Sequence, residues 1–74
     1  VGQLRNSEFL NAFGKNLKKI RQEKDFTQEK LAFSIGVEIS QISRIERGIL
    51  NTSISTAEAI AKALDIPVKE LFEF

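Results

Sequence analysis

The segment from Thr27 to Gly48, TQEKLAFSIGVEISQISRIERG, constrains this chain more than any other. Leu31, Ile35, Val37, Ile42 and Ile45 fall at helical offsets on either side of Gly36, so each half has one face to bury. Ala32 is small where the first half must approach the second, and Gly36 can take the positive φ that stops one helix before another begins. Packed this way, the second helix keeps Ser40, Ser43, Arg44 and Arg47 outside, free to enter a groove. Two short helices so joined make a helix-turn-helix. A chain this small built around one is most economically a reader of double-stranded DNA.

Seventy-four residues predict one domain over 1–74, near the lower limit for a self-supporting core. With no cysteine and no histidine, a disulfide framework and the usual zinc ligand sets are excluded, so no metal site and no cofactor are expected. Helix packing, helped by dimerisation, must supply the stability. The absence of a long apolar run predicts no membrane partner and a cytoplasmic location. Net charge is only +1, but it is unevenly spread. Residues 1–24 carry six basic and two acidic side chains, among them Arg5, whereas residues 51–74 carry two basic and four acidic ones. That asymmetry is weak support for an anionic partner, because a solvated helix face would look the same.

Five helices are expected, and no strand. The first runs from Ser7, as N-cap, to Lys24, with Phe9, Phe13, Leu17 and Ile20 as its apolar stripe and Asp25 in the left-handed region at its end. The second follows Thr27 as N-cap and stops at Gly36; the third covers Ile39 to Arg47. Ser53 caps a fourth through Leu64, burying Ile54, Ala57, Ile60, Ala61 and Leu64, and Pro67 opens a short fifth carrying Val68, Leu71 and Phe72.

Four stretches together, FGKNLKKIRQEKDFTQEKLA, the IGV turn, ISRIERG and ALDIPVKELF, resemble the lambda-repressor-like, or xenobiotic-response-element, helix-turn-helix domains of phage and bacterial regulators. The resemblance covers about residues 9–72. It implies an all-α, five-helix DNA-binding domain whose third helix contacts DNA, acting as a homodimer on a palindromic site. Small members include phage repressors, restriction–modification controllers and antitoxins. It also implies that Arg21 and Glu46 pair beneath the reading helix, a structural rather than a DNA-contacting role. The chain departs from the pattern at Asp25, where glycine is usual, and at Glu38, where serine or threonine commonly caps the third helix. Ile49 and Leu50 replace basic residues. The last two departures predict low affinity for random DNA.

Arg44 is the strongest candidate for base reading, because a guanidinium pairs bidentately with guanine O6 and N7. Ser40 lies one turn earlier on the same face, and Ile39 offers methyl groups suited to thymine. Glu38 is read first as an N-cap carboxylate, and otherwise as an acceptor from cytosine or a filter against wrong sequences. Gln41 looks peripheral. Gln28, opening the second helix, is expected to hold a phosphate, a role the resemblance also assigns to it. Arg47 and Asn51 form a second backbone clamp, with hydroxyl contacts from Ser43 and Thr27.

The phenylalanines divide into groups. Phe9, Phe13 and Phe26 are expected to plug the core around the first helix. Phe33 points outward; it either folds onto a neighbouring helix or marks a protein contact. Val68, Leu71, Phe72 and Phe74 leave excess apolar surface near the C-terminus, which a homodimer seam would cover. The leading reading is a sequence-specific transcriptional regulator, a repressor or controller, responding to its own concentration rather than to a small-molecule ligand. Activation would need a surface for RNA polymerase, to which Glu29 could contribute. The alternative is an antitoxin-like interaction module whose main partner is another protein, favoured by Phe33, the C-terminal phenylalanines and the modest charge. An enzyme is disfavoured, since the chain has no histidine, cysteine or nucleotide-binding glycine loop.

Overall fold

A computed structural model describes residues 6–74; residues 1–5, including the Arg5 counted with the basic end, lie outside the described residues. Four α-helices follow in order: α1 (Ser7–Glu23), α2 (Gln28–Ile35), α3 (Ile39–Glu46) and α4 (Ile54–Ala63). The expected fifth α-helix is instead a 3-10 helix over Val68–Phe72. Here i→i+3 bonds such as Glu70 N–H to the Pro67 carbonyl (3.0 Å) form the turn.

The helices start and stop by local chemistry. Asn6, not Ser7, caps α1: its Oδ1 accepts from the Phe9 N–H at 3.0 Å. Thr27 and Ser53 cap α2 and α4 as expected, accepting from Lys30 N–H (2.9 Å) and Thr56 N–H (3.1 Å). All four helices end in the same motif. The four positive-φ residues among those described are Asp25, Gly36, Gly48 and Asp65, one after each helix. In each case the next N–H reaches back five residues: Phe26 to Arg21, Val37 to Ala32, Ile49 to Arg44 and Ile66 to Ala61, all at 3.0 Å. Aspartate tolerates the left-handed region better than most L-residues, which is why it can stand in for glycine at two of these ends. Of the apolar residues that follow, Phe26, Val37 and Ile66 fold back onto the core.

That core joins Phe13, Leu17 and Ile20 of α1 to Leu31 and Ala32 of α2, Ile42 and Ile45 of α3, Ala57, Ile60 and Ala61 of α4, and Leu64 and Leu71 beyond it. α2 packs on both α3 and α4, while α1 packs on α3 and on the 3-10 helix. Asn16 fastens the last contact, its buried amide donating to the carbonyls of Glu70 (2.8 Å) and Leu71 (3.0 Å). Two expected core residues lie elsewhere. Ile54 is 90% exposed: a side chain in the first turn leans toward the helix N-terminus, and so past the end of the buried stripe. Phe9, 46% exposed, is held only at the margin by the rings of Phe72 and Phe74.

Candidate nucleic-acid interface

α3 is amphipathic in the sense its function would require. Ile42, Ile45 and Glu46 point inward and are buried, whereas Ser40, Arg44 and Arg47 are exposed and Ser43 is half-buried between them. Ile39 stands beside this face, 49% exposed. The expected base-reading residues Ser40, Arg44 and Ile39 are therefore accessible from one side. Arg47 is steadied by its own helix, its Nε donating to the Ser43 carbonyl at 3.4 Å. Gln41 is half-buried at the flank.

Glu38 occupies the N-cap position, in extended backbone, but its carboxylate makes no cap hydrogen bond. The capping role expected for it is thus not realised. A glutamate is one methylene longer than the aspartate that suits this position, and must fold back on itself to reach the first-turn N–H groups. The side chain instead stays exposed at the leading end of α3.

Beneath α3 the expected ion pair is present and bidentate. Arg21 Nε donates to Glu46 Oε2 at 2.6 Å and Nη2 to Oε1 at 3.0 Å, with side chains 8% and 2% exposed. Nη1 donates to the Phe26 carbonyl at 2.7 Å, so the arginine also braces the α1–α2 turn. Gln28 joins this cluster: its Nε2 donates to Glu46 Oε1 at 2.9 Å. Nothing local marks that bond, since Gln28 and Glu46 are 18 residues apart. Gly14 was also overlooked. A Cβ there would lie 2.5 Å from the carbonyl oxygens of both Ile45 and Glu46, so only glycine lets α1 come this close to the end of α3.

The remaining candidates divide clearly. Thr27 Oγ1 accepts the α2 cap hydrogen bond, and Asn51 is exposed in the loop before α4. Phe33 is 88% exposed and does not fold onto a neighbouring helix. Leu71, expected at a dimer seam, is fully buried within the protomer beneath α1 and α4; successive residues of a 3-10 turn point a third of a turn apart, so Leu71 faces inward while its neighbour Phe72 does not. Val68, Phe72 and Phe74 remain 42–54% exposed. Phe72 borders an apolar groove of about 150 Å³, shared with Phe9, Phe13, Ile54 and Ala57. No helix among the described residues is long and apolar enough to cross a membrane.

Residues 17–71 match the family model described as Helix-turn-helix. Control protein C.BamHI of Bacillus amyloliquefaciens is 43% identical over 63 residues, spanning 84% of this chain and 78% of that one. The immunity repressor protein of Bacillus phage phi105 is 41% identical over 58 residues, 78% of this chain but only 40% of the repressor. Among solved structures, the restriction-modification controller protein C.AhdI from Aeromonas hydrophila superposes with a TM-score of 0.83 at 41% identity, over 85% of this chain and 96% of that one. These relatives are regulators and not an enzyme class. Carried by its amphipathic α3 and the ion pair beneath it, the chain belongs to the helix-turn-helix family of DNA-binding transcriptional regulators.

Proposed function

We propose that this regulator acts as a repressor or controller, binding a palindromic operator as a homodimer with α3 of each protomer in the major groove. One observation carries the reading: the polar face of α3 is open along its length while its apolar face and Glu46 are anchored from below. Arg44, Ser40 and Ile39 read bases, with Glu38 held as a test of what lies opposite it. Arg47, Asn51, Ser43 and the start of α2 around Thr27 and Gln28 grip phosphate. Half-sites one helical turn apart, about 34 Å, match a two-fold arrangement of such helices.

Selection of binding sites from random DNA tests this. An inverted repeat with half-sites one turn apart is expected, and Arg44→Ala should cost about 1–3 kcal/mol on it while relaxing discrimination at one base position. Equal losses on operator and random DNA would reduce Arg44 to a phosphate contact, and failure to enrich any sequence would overturn the reading.

The dimer seam is proposed at Val68, Phe72 and Phe74, extended by Ile54 and Phe9 around the groove, with Leu71 assigned to the protomer core. Ile54→Asp checks it cleanly. The residue is nearly fully exposed and opens α4, where a carboxylate suits the helix dipole, so folding is preserved. Sedimentation should then find monomers; an unchanged dimer would place the seam elsewhere.

A further inference from the structure

Three helices meet at one carboxylate: Arg21 from the last turn of α1, Gln28 from the first residue of α2, and Glu46 itself from the last turn of α3. Arg21 and Glu46 are buried, whereas Gln28 is half-exposed and so reaches from the buried pair to the surface. We propose that Gln28 is a positioning residue, its amide tying the phosphate grip at the start of α2 to the attitude of α3. The inference rests on the reading of α3 given above and adds a coupling to it.

The chemistry of the amide makes the link possible. Nε2 carries two N–H groups, and one is committed to Glu46 Oε1, the same oxygen that accepts from Arg21 Nη2. A phosphate at the head of α2 can take the second N–H without displacing the first, alongside first-turn backbone N–H groups that have no intrahelical partner. A phosphate held by the second N–H fixes the plane of the amide, and with it the direction from which the first N–H meets Glu46 Oε1, so the two acceptors are bound to one shared geometry. Glu46 has no freedom to respond alone. Its helix end lies against Gly14 with no room for a Cβ between them, so any pull on the carboxylate bears on α3 as a whole. A simple clamp would raise affinity for every sequence equally; a clamp linked to Glu46 favours the sequences against which α3 is correctly seated.

Gln28→Met keeps the side-chain length and removes both donors. On the selected operator, Arg44→Ala should cost about tenfold less in the Gln28→Met background than in the unaltered chain, the size of coupling found between groups sharing one network. The operator-to-random affinity ratio should fall with it. Additive losses, with operator and random DNA weakened in parallel, would make Gln28 an independent clamp and overturn the proposal while leaving the reading of α3 intact. A protein that selects no operator would remove both. Should Gln28→Met fail to fold, the unaltered chain supplies the test. The Arg21 Nε–H signal, buried away from DNA, should shift in nitrogen–proton spectra on saturation with operator and less with random DNA; a signal that does not move overturns the coupling.

Discussion

The two ends of α3 are built on opposite terms. At the C-terminal end, Glu46 is enclosed by Arg21 and Gln28, and the backbone lies so near α1 that residue 14 has no side chain. At the N-terminal end, Glu38 leaves the first turn without a side-chain cap, and Ile39 and Ser40 stand in the open. The root is held by three elements, whereas the tip has no side-chain cap. The difference also separates two kinds of glutamate: one buried and hydrogen-bonded, the other exposed and without a cap hydrogen bond.

The root offers the largest effects. Glu46→Ala strands a buried arginine and should lower stability by about 3–5 kcal/mol in urea unfolding, whereas Arg21→Met combined with Glu46→Leu should cost much less. A double substitution as damaging as the single one would show that the pair itself, rather than the stranded charge, sustains α3. Gly14→Ala comes next. Helix propensity favours the change by about 1 kcal/mol. The new Cβ would nonetheless meet backbone oxygens at 2.5 Å, so a net loss of about 1–3 kcal/mol is expected. A neutral or higher melting temperature would mean that α1 and α3 part without penalty. The smallest effect lies at the tip and has the opposite sign. Glu38→Ser supplies the missing cap and should stabilise the fold by about 1 kcal/mol. Affinity for random DNA should rise as well, narrowing the gap to the operator. Stabilisation without that narrowing would remove Glu38 as a filter.

The reach of sequence reasoning differs between these regions. The helices, the sharp stop at Gly36 and the left-handed Asp25 follow from periodicity and turn chemistry, which act over a few residues. Asp65 was as legible as Asp25, since each aspartate follows a helix and precedes an apolar residue. The partners of Asn16 and Gln28 carried no local mark, because a polar residue on a helix shows its partner only when another element arrives. Ile54 and Leu71 traded places for a related reason: both sit on apolar stripes, and only the length of the neighbouring elements decides which one is covered.

By itself, the order of residues settled that the chain is helical, where its turns fall and which face of α3 is polar, because each depends on neighbours within about one or two turns. Tertiary structure alone decided that Gln28 bonds to Glu46 and that residue 14 must lack a side chain. These outcomes depend on distances between elements far apart in the chain. Such distances are fixed only when the whole core closes and its side chains pack against one another.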